Sequence, residues 1–75
     1  MAAGGDVSEP IRIGDYVLTS EGPGRIDGED GDVWLVYYLG SAGWRFPKDG
    51  RPRWDGRRIV REITEDEAKA RGFEP

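Results

Sequence analysis

From Ile11 onward the chain alternates short β-branched and aromatic runs with turn signals. The turns fall at Gly14-Asp15, Gly22-Pro23-Gly24, Asp30-Gly31, Gly40 to Gly43, Asp49-Gly50 and Asp55-Gly56, combinations that favour tight reversals of the backbone. Between them lie 16–20, 25–27, 33–39, 44–46 and 57–63, rich in Val, Ile, Tyr, Trp and Phe, and this spacing predicts five short strands. Five strands packed into about fifty residues imply a small barrel or a tightly curled sheet, because a flat open sheet of that size leaves both edges and one face bare. In the third strand, alternation sends Val33, Leu35, Tyr37 and Leu39 to one face and Trp34, Val36 and Tyr38 to the other. One set fills the core; the other is covered by a helix or forms an exposed aromatic patch.

A helix is predicted over 64–71. Thr64 precedes Glu67 at the capping-box spacing, Glu65, Asp66 and Glu67 complement the dipole at the first turn, and Lys69 and Arg71 do so at the last. Gly72 stops it, Phe73 folds back towards Ala68, and Ile63 staples against the same residue, so the helix is expected to close one mouth of the barrel. At about eight residues it does not persist alone. Residues 1–10, small and polar and ending at Pro10, read as a mobile tail, with a single domain over 11–75. Trp34, Trp44 and Trp54 recur at ten-residue intervals, but their flanks share nothing and a repeat architecture needs a unit of about 20 residues or more.

Composition sharpens this picture. Hydrophobic residues are 36 % and charged residues 35 % of the 75, near the border of foldable composition, and three Trp, three Tyr and two Phe supply the buried area that offsets it. A chain this short buries only about 60 to 65 % of its unfolded surface, and with no Cys there is no disulfide or thiolate metal site to make up the shortfall. No apolar run approaches the ~18 residues of a membrane span and the first ten residues lack signal-peptide regions, so a cytoplasmic protein without membrane contact is expected.

Catalysis finds little support. Without His or Cys the nucleophile would be Ser20, Ser41, Thr19 or an Asp, with Lys48 or a carboxylate as base, and no pair stands at a recognised spacing. A barrel of this size fills its interior with side chains, so neither cofactor nor small-molecule substrate is expected. Asp27, Glu29, Asp30 and Asp32 concentrate acid in six residues but lack the ligand pattern of a calcium loop, and no metal is expected there. The cluster reads as a solvated hairpin tip, or as a phosphate mimic on a small phage- or host-encoded inhibitor.

The charge distribution is the most informative feature. Between Arg45 and Arg61 seven bases face two acids, a local excess of five positive charges, and the remainder of the chain carries an excess of nine negative ones. Trp44, Arg45, Arg51, Arg53, Trp54, Arg57, Arg58 and Arg61 form the candidate partner-binding set, since Arg interleaved with aromatics is typical of interface hot spots and of nucleic-acid stacking platforms. The plainer reading of the same residues is a solvated rim whose Arg side chains pair with nearby acids. The surrounding acid repels phosphate within a Debye length of about 8 Å, so a protein partner with an acidic surface is favoured over nucleic acid.

Gly14-Asp15-Tyr16-Val17, followed by Gly22-Pro23-Gly24-Arg25-Ile26 and an apolar strand, resembles the opening of small Tudor-like and KOW-like barrels of the Src-homology-3-like class. Similar openings occur in CarD-type modules that touch RNA polymerase and in the Tudor-like C-terminal modules of some DNA helicases. The resemblance covers residues 11 to 46; the KOW glycine pattern is incomplete, and Pro47 to Gly56 has no counterpart. It implies a binding module; with the strands and helix read above, the expected fold is a mainly β, five-stranded Tudor-like barrel with a short C-terminal helix, and the lack of catalytic pairs makes the module non-enzymatic. The expected role is a protein-binding accessory or regulatory factor on transcription or DNA-processing machinery, with nucleic-acid binding through the same Arg/Trp face as the alternative.

Overall fold

The structure, a computed structural model, describes residues 11–74, so the tail expected over 1–10 lies outside the described residues. The elements are β1 (Tyr16–Thr19), β2 (Gly22–Asp30), β3 (Val33–Tyr38), β4 (Ser41–Pro47), β5 (Ile59–Ile63) and α1 (Glu65–Ala70). All neighbouring strands are antiparallel, in a single sheet of order β4-β3-β2-β1-β5. The described residues are thus mainly β, with five strands and one short C-terminal helix. β4 and β5 stand at opposite ends of the sheet, and no ladder closes them into a barrel among the described residues.

Two turns differ from the sequence expectation. The reversal expected at Gly22-Pro23-Gly24 lies at Ser20-Glu21, where the buried Thr19 hydroxyl donates to the Gly22 carbonyl at 2.7 Å and accepts the Glu21 N–H at 3.1 Å. Because Thr19 satisfies the turn itself, the glycines are free to serve as strand. Gly24 pairs with Val17 on one side and Tyr38 on the other, and a Cβ there would meet Val36 Cγ1 at 2.9 Å and the Tyr37 carbonyl at 3.0 Å. The glycine is required by close approach, so β2 spans nine residues instead of three. After β3, Leu39 (φ 54°) and Gly40 (φ 77°) form a two-residue reversal with both residues left-handed. β4 therefore starts at Ser41, three residues before expected, and carries a bulge between Ser41 and Trp44, opposite Val36 and Tyr38 of β3.

Alternation then builds the main core on one face. Val17, Ile26, Val36, Tyr38 and Phe46 are fully buried, with Ile59 beside them and Trp34 and Trp44 packed at the margin. Tyr38 lies edge-on to both Trp44 and Phe46, at 5.3 and 5.7 Å. Tyr16, Leu18 and Tyr37 occupy intervening positions and pack with Ile63, Ala68 and Phe73 in a second cluster. The helix therefore packs over the sheet face opposite the main core, where it had been expected at a barrel mouth.

Thr64 caps α1 by accepting the Glu67 N–H at 3.0 Å. At the other end Gly72 takes φ 97°, and Gly72 and Phe73 donate to Lys69 and Ala68 carbonyls at 3.0 and 2.9 Å, the Schellman closure expected from the sequence. The Glu67 carboxylate is held by Arg61 Nη2 at 2.7 Å and Arg71 Nε at 3.0 Å, and these bonds, Arg61 first, hold its carboxyl below the usual range. A carboxyl with a depressed folded-state pKa contributes stability above its unfolded value, and that contribution is lost as pH falls through the folded value. The urea midpoint is accordingly expected to fall on acidification below pH about 4.5, and to fall less steeply in Glu67→Gln. Identical slopes in the two proteins would remove Glu67 from the acid response.

Candidate functional site

Residues 48 to 56, in the stretch that has no counterpart in small barrels, fold as two local turns beside β4. Asp49 accepts the Arg51 N–H at 3.0 Å and its guanidinium at 2.9 Å, and the backbone bond leads in holding the Asp49 carboxyl below its ordinary range. Further on, the Arg53 N–H donates to the Arg57 carbonyl at 2.7 Å, the Gly56 N–H to the Arg53 carbonyl at 2.9 Å, and Asp55 accepts the Arg57 N–H at 3.1 Å. Asp and Gly do here what they do in most tight turns, satisfying the backbone locally and permitting a left-handed residue.

These turns bring Arg53 and Arg57 onto Trp44. Their guanidinium carbons stand 5.0 and 4.9 Å from its ring centroid, and Arg53 is also 5.5 Å from Phe46 and 5.8 Å from Trp54. Asp55 pairs with Arg53 Nε at 3.3 Å and lies 3.9 Å from Arg57 Nε, which also reaches Glu21 at 3.3 Å. The Trp44 indole N–H donates to Ser41 Oγ at 2.9 Å, which fixes the ring by its edge. Planar guanidinium over indole is favourable and keeps the cation's donors in plane for carboxylates. Arg53 and Arg57 are thereby structural clamps on the loop.

Between β4 and residues 51–54 lies an open groove of about 540 Å³. Its apolar lining comes from Val33, Trp44, Pro47, Pro52 and Trp54, and Arg45, Arg51 and Arg53 are its charged residues. Trp54 is 90 % exposed, the largest apolar side chain the fold leaves in water. Of the eight residues proposed from sequence, Trp44, Arg45, Arg51, Arg53 and Trp54 meet in this groove, and Arg57 lies over the Trp44 ring without lining it. The other two lie elsewhere: the Arg58 N–H donates to Ser20 Oγ at 3.2 Å, and Arg61 serves Glu67 beside the helix. Val33, Pro47 and Pro52 were missed; the two prolines stand in the sequence as turn signals, and no local pattern marks them as groove walls.

The acidic loop is no separate pole. Asp27 to Asp30 belong to β2, and only Gly31-Asp32 turns. Asp27 pairs with Arg25 at 2.9 Å, Glu29 with Lys48, Asp30 with Arg45, and Asp32 approaches Arg51 at 3.9 Å. Lys48 also lies 4.5 Å from the Trp34 ring. Because β2 and β4 flank β3, acids and bases that read as two opposed clusters along the chain neutralise each other across the sheet. Among the described residues only Arg12 and Arg58 have guanidinium groups without an ion pair, and no three acidic side chains converge as a cation site. No helix of the described residues is long and apolar enough to cross a membrane.

No family model, curated protein or solved structure matches this chain.

Proposed function

We propose that the protein is a non-enzymatic binding module that docks a protein partner through the groove face of Trp44, Arg45, Arg51, Arg53 and Trp54, acting as an accessory or regulatory factor. The observation that carries this reading is Trp54, 90 % exposed at the lip of an apolar groove and flanked by Arg. Trp and Arg around a concave apolar patch are the residues that dominate interface energetics. The antiparallel order β4-β3-β2-β1-β5 supports, as the finer fold, a Src-homology-3-like Tudor-type barrel, and the Gly14–Ile26 opening is the ground for expecting transcription or DNA-processing machinery as the setting. The reading as a non-enzyme draws support from the hydroxyls. Thr19 holds a turn, Ser20 accepts the Arg58 N–H, and Ser41 accepts the Trp44 indole N–H.

A protein ligand is favoured over nucleic acid because the bases of the groove already have carboxylate partners. Arg12 and Arg58, the guanidinium groups without an ion pair among the described residues, lie outside it, and the chain carries a net charge of −4. Counterion release from a polyphosphate needs a run of free cations. Capture of the tagged protein from a lysate of its own host, with nuclease, should retain a protein partner. Trp54→Ala should weaken that capture about tenfold or more, and Arg58→Glu should leave it intact. Partners lost on nuclease treatment would move nucleic acid into first place.

A further inference from the structure

We infer that the groove takes a short acidic linear motif: an extended peptide that seats one apolar side chain between Trp44 and Trp54 and gives a flanking Asp or Glu carboxylate to Arg51 or Arg45. This rests on the protein-binding reading above and names the chemistry of its ligand. Trp44, Pro47 and Pro52 supply a rigid apolar wall, while Trp54 stands almost wholly in water at the opening. A side chain entering there buries indole surface that folding leaves exposed.

Charge complementarity selects the flanks. The lining contains three Arg and no acidic residue. The Arg45 and Arg51 side chains are 59 % and 60 % exposed, and their present partners Asp30, Asp32 and Asp49 sit outside the lining. Exposed ion pairs contribute little, so exchanging one carboxylate for another is nearly even, and a guanidinium has five N–H donors with which to hold two. A lone carboxylate beside an apolar residue matches this rim. A continuous polyphosphate does not, because the exposed guanidinium groups of the rim, Arg45 and Arg51, each stand beside a carboxylate and form no run of free cations.

The test uses the full ¹⁵N-labelled chain and the indole N–H signals of Trp34, Trp44 and Trp54, assigned by single Trp→Phe variants. The probes are acetylated dodecapeptides with a central Leu, Phe, Tyr, Trp or Pro between Asp or Glu residues, matched peptides with Lys flanks or a central Ser, and a thymidine dodecamer. At least one acidic peptide should shift Trp44 and Trp54 saturably and leave Trp34 nearly still. Lys flanks or a central Ser should each weaken binding about tenfold or more. Trp54→Ala, whose wild-type side chain is exposed and so dispensable for folding, should do the same. Arg51→Glu should lose the acidic peptides and gain the Lys-flanked ones, a reversal that a merely structural role for Arg51 would not produce. The inference is overturned if no peptide gives saturable shifts at millimolar concentration, if Trp34 moves in place of Trp44 and Trp54, if the oligonucleotide binds more tightly, or if concentrating the protein alone produces the same shifts, which would make a second copy the occupant. A nuclease-resistant, Trp54-dependent capture together with silent peptides would overturn the linear motif and leave the protein-binding reading standing.

Discussion

Phe46→Ala should leave most molecules unfolded at 25 °C. The ring is fully buried, edge-on to Tyr38 at 5.7 Å, and has the Arg53 guanidinium 5.5 Å from its centroid. Truncating such a side chain costs about 3–5 kcal/mol, as lost transfer energy plus the cavity left behind. A single core in a domain below about 80 residues rarely supplies more than about 3–5 kcal/mol of net stability, so the two quantities are of the same size. Nothing covalent offsets the loss, since the chain has no cysteine. The groove should go with the core, because Arg53 loses one of the surfaces that hold the 51–58 turns. Phe46→Leu, which keeps most of the volume, should cost under about 1.5 kcal/mol and remain folded. Urea titration followed by far-ultraviolet circular dichroism, with indole N–H dispersion as the second probe, separates these outcomes. A dispersed spectrum and a near-wild-type midpoint for Phe46→Ala would show that the sheet is held together elsewhere.

What could be read from the chain follows from the range over which each signal acts. Alternation in β3 is local, and it correctly separated Trp34, Val36 and Tyr38 from Tyr37. The helix was equally legible, because its cap and its Schellman closure involve residues within six positions of one another. Gly22-Pro23-Gly24 misled for a physical reason. Glycine has two uses, to turn and to let chains approach, and only the distance from Gly24 to Val36, a residue twelve positions away, decides between them.

The placement of the charged residues depends on long-range geometry in the same way. A run of bases along the chain becomes a basic patch only if the fold keeps acids away from it, and here β2 and β4 lie on either side of β3 with Glu29 and Asp30 facing Lys48 and Arg45. The excess of five over 45–61 is therefore spread into pairs, and affinity must come from the apolar groove, with the Arg rim selecting the ligand. Five of the eight candidate residues line that groove, where Arg and Trp stand together, whereas Arg58, held by Ser20, and Arg61, held by Glu67, lie elsewhere.

Phe73→Ala should detach the helix and spare the groove. Phe73 is 9 % exposed and meets Tyr16 and Tyr37 edge-on at 5.4 and 5.9 Å, with Arg25 at 5.8 Å from its ring. It is the side chain that fastens six residues of helix to the sheet, and a helix of that length has no stability of its own. The loss is about 3 kcal/mol, at the lower end for Phe→Ala, and it falls on the second cluster. Val17, Ile26, Val36, Tyr38 and Phe46 pack on the opposite face and keep every contact they have. Local opening of this kind is visible in amide exchange. The amides of Ala68, Arg71 and Phe73, now bonded to Thr64, Glu67 and Ala68 carbonyls, should exchange at nearly unprotected rates, while those of β2 and β3 remain slow. The indole signals of Trp44 and Trp54 should stay where they are, and a ligand of the groove should bind within about twofold of wild type, since Phe73 contacts none of the groove's lining residues. Equal loss of protection in the helix and in β3 would instead make the two clusters one cooperative unit, with the helix as much a determinant of the groove as Phe46.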